Sequence, residues 1–415
     1  MTRPRPPLEG VRVLDFTQNL PGPYATLVMA SLGAEVIKVE PPGGDTARAM
    51  PSLFGIVNAG KRSIVLDLKQ HDAATIIAGL VRDTDVLVEG FRPGVMARLG
   101  CDAAAARAIN PRLVYCSISG YGQHGPYAGW PGHDLNFQAL TGVCHMSRDQ
   151  YDHPFGSALP IADLSSALTA VASVLAALFA RERDGQGRAI DVAMVDTLLS
   201  WSHAWAEGLT PRGTTGARML ASARPWIERG AAALPGRMRP LAQRVAGWLG
   251  GDDGRRRADA IGAAVERSTV YRRLERLRLH ALPHYGLFRT RDDRWLSIAI
   301  VDEHKFWRAL CKGLALPRLA GVPLAARFVA AAPLRRTIAA AIRRHDLAHW
   351  LSNFERERVP IAAVLPIAES LVDPQLLARM GGGRFGAPAP LSTTSLGPAP
   401  SLGEHTESVL SALPR

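Results

Sequence analysis

Two titratable residues thirty positions apart, His133 and Asp163, stand out in the sequence as a pair that could do chemistry. His133 follows a glycine, and Asp163 follows Ala162 at the start of a long apolar helix pattern. Histidine exchanges protons near neutral pH, and a carboxylate with a tuned pKa can exchange them too. Two such bases facing one carbon atom are what a proton-shuttling enzyme needs.

Both residues also have structural explanations. An aspartate at the start of a helix usually serves as its N-cap, because its side chain accepts hydrogen bonds from free backbone N–H groups. His133 is as plausible a loop histidine as His124 or His145. The residues alone therefore leave a structural and a catalytic role open for each member of the pair.

The first 125 residues alternate short β-rich runs with helix patterns, which predicts an α/β fold with a Rossmann-like parallel sheet. Ligands of such sheets bind at the carboxyl ends of the strands. The predicted strands are residues 11–16, 34–40, 63–68, 85–91 and 113–119, and the predicted helices between them are residues 21–32, 72–83 and 94–109.

The turn after the first predicted strand argues against a dinucleotide site. Residues 17–23 read TQNLPGP, where prolines replace the glycines that would let the backbone approach a pyrophosphate. The sequence also lacks the GxxxxGK[ST] pattern of a P-loop. We therefore expect a Rossmann-like sheet without nicotinamide or P-loop chemistry.

The clearest helix pattern covers residues 164–183, with Asp163 or Ser165 as its cap, and residues 190–207 predict a second helix. A charged turn between two β-rich runs predicts a hairpin later in the chain. The predicted large Rossmann-like domain covers residues 1–220 and is completed by 366–415. An Arg-rich helical linker or insert follows at 221–282. A smaller α+β domain covers 283–365 and begins with a hairpin of 285–290 and 295–300.

Composition indicates a soluble globular protein. The chain has 415 residues, 47% of them hydrophobic and 21% charged, which favours two domains. Its first ten residues contain no apolar signal segment, and the longest nearly apolar run, 167–180, is too short to span a bilayer. The four cysteines show no CxxC spacing, which argues against zinc and disulfides and favours the cytoplasm.

The net charge of +12 is concentrated in one segment. Residues 221–280 hold 13 arginines, no lysine and 6 acidic residues, so this segment supplies 13 − 6 = +7. A basic segment invites a nucleic-acid interpretation. Because it lacks interleaved aromatic residues and any groove-reading motif, we expect a solvated helical face and no nucleic-acid binding.

Several longer stretches resemble the family III CoA-transferases (the CaiB/BaiF group), which include 2-methylacyl-CoA racemases. The resemblance covers nearly the whole chain except about 215–280. The matching stretches are PLEGVRVLDF, LPGPYATLVMASLGAEVIKVEPPGGD, GKRSIVLDLK, DVLVEGFRPGVMARLG, NPRLVYCSISGYGQHGPY, GHDLNFQALTG, DGQGRAIDVAMVD, PHYGLFRT, VDEHKFW and LGEHTESVL.

The GHD triplet followed thirty residues later by an aspartate is closest to the racemase branch. That resemblance implies two-base proton transfer at the α-carbon of a 2-methylacyl-CoA by His133 and Asp163, with Glu303 as a partner of the histidine. Backbone N–H groups at the helix start near Asp163 would hold the enolate oxygen. Ser165 and Ser166 depart from the glycines common in racemases, and Pro41 stands where an arginine is often found.

The transferase branch implies a different use of the same aspartate. There the carboxylate attacks the thioester and forms an aspartyl anhydride, so that His133 is not needed. A third possibility is a CoA-binding homologue without activity. Either enzyme would take an acyl-CoA as substrate without a metal or redox cofactor, and the resemblance implies an interlocked homodimer.

Coenzyme A carries a 3′-phosphate and a pyrophosphate, so its site should offer lysine, arginine and backbone N–H groups. The turn Asn58-Ala59-Gly60 precedes the GKRSIVLDLK match and would let a ligand come close. The predicted CoA-binding residues are Lys38, Asn58, Lys61, Arg62, Lys69, Arg92, Gly120, Tyr121 and Gly122.

Overall fold

The computed structural model of the chain divides into two compact units. Unit 1 comprises Met1–Ala204 and Asp373–Arg415, and unit 2 comprises Trp205–Val372. The predicted Arg-rich insert lies outside the described residues apart from Leu282. The structure describes residues 5–147, 153–209, 282–301, 303–324, 327, 330–380 and 394–413.

Unit 1 is built on a six-stranded parallel sheet with the order β3-β2-β1-β4-β5-β6. The α/β fold and all five predicted strands are confirmed, because their β-branched, nearly continuous apolar runs are typical of strands buried on both faces. The strands are β1 Arg12–Phe16, β2 Glu35–Glu40, β3 Arg62–Val65, β4 Val86–Glu89, β5 Val114–Ser119 and β6 Ala189–Ala193.

Strand β6 corrects the predicted helix at 190–207. Residues Ala189–Ala193 pair in parallel with β5, and the helix begins only at Met194. Gly187 lets the chain enter the sheet, since a Cβ there would lie 1.9 Å from the carbonyl oxygen of Leu113. β6 is an edge strand with partly exposed side chains, so its apolar signal is weak and merges with that of the helix after it.

The helices of unit 1 cover both faces of the sheet. The predicted helix at 94–109 is divided in two around Gly100, whose φ of +67° ends the first part. The helices are α1 Pro21–Ser31, α2 Pro51–Val57, α3 Ala73–Arg82, α4 Val95–Arg98, α5 Ala103–Ile109, α6 Asp134–Leu140, α7 Val143–Met146, α8 Ile161–Asp184, α9 Met194–Leu209 (which begins in unit 1 and extends past Ala204), α14 Pro374–Met380 and α15 Thr406–Leu410.

Helix α8 is the central helix of one face. Its small residues Ala167 and Ala170 are fully buried and let it pack closely against α1 and β5. Within the described residues, α8 is the one helix whose length and apolar composition would suffice to cross a bilayer, but half of its apolar window is buried inside the protein. It is therefore a core helix of the α/β fold.

Unit 2 contains a three-stranded antiparallel sheet with helices packed on it. The predicted hairpin is confirmed as β7 and β8, and Trp307 lies fully buried in the core of the unit. The elements are β7 Tyr285–Arg289, β8 Trp295–Ala299, α10 His304–Gly313, α11 Ala331–Ile342, α12 Leu347–Glu357, β9 Ile361–Ala363 and α13 Ile367–Ser370.

Candidate active site

The first turns of helices α6 and α8 are joined by one carboxylate, that of Asp134. Its Oδ1 accepts hydrogen bonds from the backbone N–H groups of Ala162 (2.7 Å) and Asp163 (3.2 Å). Asp134 therefore caps α8 from a different helix. The predicted cap by Asp163 or Ser165 is wrong, because α8 begins at Ile161 and both residues already lie inside its first turns.

The second oxygen of Asp134 is held by Gln138, one turn later in α6. The Gln138 amide donates to Asp134 Oδ2, and its own Oε1 accepts from the backbone N–H of Ser157 at 2.8 Å. Gln138 is buried, whereas Asp134 is partly buried and Ser157 is exposed. The Asp134 carboxylate thus receives three N–H donors, which fits the acceptor-only, ionised form of the group.

Asp163 is partly buried in the third position of α8. Burial, reinforced by the negative charge of Asp134, raises the pKa of Asp163 to about 7. A carboxylate in the first turn of a helix is ordinarily stabilised by the helix dipole. Here the two N–H groups closest to Asp163 are already used by Asp134, so that stabilisation is weak.

The same two hydrogen bonds also contradict the predicted enolate-binding site at the start of α8. The N–H groups near Asp163 were predicted to hold an enolate oxygen, but those of Ala162 and Asp163 both donate to Asp134 Oδ1. Ser165 and Ser166 are buried, and their hydroxyls donate to the backbone oxygens of Ala162 and Asp163. The two serines therefore satisfy their polar groups within the helix.

His133 caps the start of α6 and has an exposed side chain. Its backbone N–H donates to Asn136 Oδ1 at 3.0 Å. Gly132 precedes it because a Cβ there would lie 2.7 Å from the ring of Phe137. Within the described residues no hydrogen bond joins His133 to Asp163, and Asp134 is the residue that connects the two segments.

The loop after β5 packs against the same phenylalanine. A Cβ at Gly120 would lie 2.5 Å from the Phe137 ring, so only glycine fits there. The Tyr121 ring meets Phe137 edge-on at a centroid distance of 5.2 Å. Gly122 adopts a φ of +83°, in the left-handed region. The structure therefore brings Gly120 and Tyr121 next to the segment that carries His133, whereas Gly122 lies beside Asp191 of β6.

Three other predicted CoA-binding residues lie inside unit 1. Lys61 Nζ lies 3.1 Å from Asp15 Oδ2 and 2.9 Å from Asn58 Oδ1, and it also bonds Pro23 O and Thr26 Oγ1. Lys38 Nζ lies 2.8 Å from a carboxylate oxygen of Asp45, and all three side chains are buried. This placement favours a structural role for Lys38, Asn58 and Lys61 over contact with a phosphate.

The Asp15 carboxylate is the centre of this buried network. Burial alone would raise its pKa, but Lys61 and Lys38, with hydrogen bonds from Thr17 and Thr26, lower the pKa of Asp15 to about 2. Desolvation lowers the pKa of Lys61 to about 8 despite the attraction of Asp15. The network fixes the turn between β1 and α1. In dinucleotide-binding Rossmann sheets, this turn approaches the pyrophosphate.

The remaining predicted cations lie at the surface. Arg62 bonds Glu35 at 2.7 Å, and Lys69 is exposed beyond the carboxyl end of β3. Arg92 is exposed in the loop after β4, at the point where the strand order reverses between β1 and β4. In open α/β sheets that reversal forms the ligand crevice.

A cavity of about 460 Å³ adjoins Arg92 and is lined by the paired residues Glu89 of β4, Ser117 of β5 and Asp191 of β6. Its polar lining includes Gln123, Glu89 and Asp191, which the sequence did not single out. Burial, reinforced by Asp191, raises the pKa of Glu89. Asp191 accepts from the backbone N–H of Gln123 at 2.9 Å. Glu89 is the last residue of β4, and that position was the signal that could have found it, whereas Asp191 lies in the middle of β6.

Glu303 belongs to unit 2, immediately before α10. Its Oε2 accepts from the backbone N–H of Val301 at 2.9 Å, so the side chain supports its own loop. Its partnership with His133 stays a prediction. Within the described residues, no group of three or more histidine, cysteine or acidic side chains is arranged to hold a metal ion.

Comparison with known proteins adds to this geometry. A family model described as CoA-transferase family III matches residues 8–226 and 260–414. An acetyl-CoA:oxalate CoA-transferase from Acetobacter aceti is 32% identical over 396 residues, which cover 91% of this chain and 85% of that protein. A formyl-CoA:oxalate CoA-transferase from Streptomyces avermitilis is 39% identical over 201 residues, 46% of this chain and 49% of that protein.

Solved structures share the fold. The crystal structure of a CAIB/BAIF family protein from Brucella suis superposes with a TM-score of 0.72 at 24% identity, covering 99% of this chain and 100% of that one. The structure of Rv3272 from M. tuberculosis gives a TM-score of 0.71 at 24% identity, covering 98% of this chain and 99% of that one. At this identity the likeness concerns the fold alone.

Proposed function

Because the chain belongs to CoA-transferase family III, we propose that it transfers coenzyme A between an acyl-CoA and a carboxylic acid, with the Asp163 carboxylate as nucleophile. The observation that carries this proposal is the environment of Asp163. The residue is partly buried, its backbone N–H donates to Asp134 Oδ1, and burial together with the charge of Asp134 raises the pKa of its carboxyl to about 7. A carboxylate that is hard to ionise is a stronger nucleophile once ionised, because nucleophilicity increases with basicity.

The proposed reaction alternates between two covalent forms of Asp163. The carboxylate attacks the thioester carbonyl, the C–S bond breaks, and CoA thiolate leaves an acyl-aspartyl anhydride. The thiolate then attacks the aspartyl carbonyl, which releases the first carboxylic acid and leaves an aspartyl-CoA thioester. The acceptor carboxylate displaces the thiolate to form a second anhydride. The thiolate finally attacks the acceptor's acyl carbon, which gives the new acyl-CoA and restores Asp163.

For CoA we propose the crevice between β1 and β4 together with the adjoining cavity. Arg92 is exposed at this point and supplies a charge for a phosphate group. Arg92→Ala is expected to raise the KM for acyl-CoA about tenfold, the loss of one charge-assisted hydrogen bond, with little change in kcat. Arg82→Ala, which removes an exposed arginine at the end of α3, is the matched control and should leave KM unchanged.

Racemisation of a 2-methylacyl-CoA is the second candidate, because a group with a pKa near 7 can also donate and accept protons at neutral pH. In that reaction Asp163 and His133 would exchange acid and base roles, with Glu303 as the partner of His133. An inactive CoA-binding protein is the third candidate. The proposal includes a homodimer in the cytoplasm, and light scattering should give about twice the chain mass of 44.6 kDa.

One experiment separates the three candidates. The protein is incubated with acetyl-CoA and oxalate, and separately with a 2-methylacyl-CoA in deuterium oxide, and hydroxylamine traps any activated carboxyl. Transfer predicts a hydroxamate at Asp163 that persists in His133→Ala and disappears in Asp163→Asn. α-Proton exchange that requires both residues, without transfer or a hydroxamate, would overturn transfer in favour of racemisation. CoA binding with neither reaction would leave the inactive homologue.

A further inference from the structure

We infer that Asp134 is a positioning residue for Asp163: it fixes the backbone that carries the nucleophile and places a second negative charge beside it, which favours acylation. This inference rests on the proposed function of Asp163. It assigns a role to the third residue of the GHD triplet, which the sequence did not single out. The hydrogen bonds of Asp134 support the first part of the role, and the second part follows from where they place its carboxylate.

The hydrogen bonds explain how Asp163 is fixed. Asp134 Oδ1 lies 3.2 Å from the backbone nitrogen of Asp163 itself and 2.7 Å from that of Ala162. Gln138 holds the other oxygen and is itself bonded to Ser157 in the segment before α8. The Asp163 backbone is therefore tied to α6 as well as to its own helix.

Among the described residues, Asp134 is the group whose charge acts on Asp163. Helix α8 packs against α1, β5, α6 and β6. On the faces of α1 and β5 that share its core, Tyr24 and Cys116 have pKa values raised by burial and are neutral at pH 7. Asp191 of β6 lines the cavity, and exposed His133 caps α6. Asp134 is thus the charged group that raises the free energy of ionised Asp163.

Acylation relieves this repulsion. An ionised Asp163 beside Asp134 places two negative charges close together in a partly buried site, where they interact more strongly than in water. The anhydride and the aspartyl-CoA thioester are both neutral at Asp163. The pair of carboxylates therefore raises the free energy of the resting enzyme relative to its covalent intermediates.

The test reads the protonation of Asp163 without any substrate. The full-length protein is labelled with ¹³C at the aspartate carboxyls, and the Asp163 signal is identified by its absence in Asp163→Asn. In the wild-type protein the signal should titrate near pH 7. In Asp134→Asn, which keeps the shape but removes the charge, the midpoint should fall by about one pH unit or more.

The matched control is Asp373→Asn. Asp373 also accepts two backbone N–H groups at a helix start, those of Gln375 and Leu376 at 3.0 and 3.1 Å, but it caps the helix that directly follows it, α14. This variant should leave the titration of Asp163 unchanged. If Asp134→Asn folds poorly, Asp134→Ser supplies a neutral capping hydroxyl and should lower the midpoint equally. A midpoint that stays at the wild-type value in both Asp134 variants would overturn the inference.

A kinetic measurement completes the test. The rate of Asp163 acylation by acetyl-CoA, followed by hydroxylamine trapping, should decrease at low pH around the same midpoint. In Asp134→Asn this decrease should move to lower pH, and the plateau rate should fall by up to about tenfold because the carboxylate is less basic. A shifted titration without any acylation in the wild type would contradict the proposed function while leaving the effect of Asp134 on Asp163 intact.

Discussion

Asp163→Asn should make the protein more stable at pH 8 than the wild type, although it removes the candidate nucleophile. The pKa of Asp163 rises from 3.8 to about 7 in the folded state, mainly because of burial and then because of Asp134. A folded pKa above the unfolded value means that the native state binds more protons between these limits. The corresponding stability is present below about pH 4 and is lost as pH rises through 7. At 1.36 kcal/mol per unit, the loss is up to about 4 kcal/mol.

The assay is urea unfolding followed by circular dichroism, for both proteins, at pH 4 and pH 8. Asparagine cannot ionise, so the variant should avoid the loss that the wild type undergoes between these pH values. A change in packing alters the free energy of unfolding equally at both pH values, so the difference between the two pH values isolates the effect of ionisation. Asp373→Asn should show no such pH-dependent gain. If Asp163→Asn shifts the free energy of unfolding by the same amount at both pH values, the assigned environment of Asp163 is wrong.

Three further predictions concern the scaffold. Lys61→Met should lower the free energy of unfolding by about 3–5 kcal/mol, because it leaves Asp15 without its closest cation. Lys69→Met, at the surface, should change the free energy of unfolding by less than about 0.5 kcal/mol. Equal urea midpoints for the two variants would contradict the structural role of Lys61. Asp15→Asn should lower the free energy of unfolding by about 2 kcal/mol at neutral pH, because the pKa of Asp15 is about 2 in the folded protein. This stability is present above pH 4 and is lost as pH falls through 2. In an acid titration, the free energies of unfolding of the variant and the wild type should therefore converge near pH 2. Gly120→Ala should destabilise the protein by about 1–3 kcal/mol in thermal unfolding, because the added Cβ meets the Phe137 ring. Gly129→Ala, with open space around it, should not destabilise the protein. Equal effects of the two substitutions would refute the close packing at Gly120.

The sheet was predictable because the information that specifies it is local. Each of the first five strands is a short β-branched run bounded by turn residues, and each predicted range overlaps the observed strand. Strand β6 was missed because Ala189–Ala193 is a half-exposed edge, where the apolar signal is diluted. Strand β9 is only three residues long, too short to show a period of two.

The site was only partly predictable because its key contacts are not local. Asp163 was singled out correctly as a residue of the helix start, but the carboxylate that caps this helix comes from Asp134, 28 positions before Ala162. No spacing rule within one helix can reveal such a contact. Lys38 and Lys61 show the opposite difficulty. Their place in matching motifs suggested a ligand, whereas carboxylates bind both lysines inside the protein: Asp45 binds Lys38, and Asp15, 46 positions away, binds Lys61.

The packing of Phe137 has a consequence for substitutions at position 133. The ring fills the space that side chains at Gly120 and Gly132 would need, and so the backbone that carries His133 is fixed by a neighbour rather than by the histidine's own exposed side chain. In the proposed function His133 distinguishes proton transfer from CoA transfer, and we expect its support to remain when it is replaced. We therefore expect a single substitution at position 133 to leave the shape of this loop unchanged.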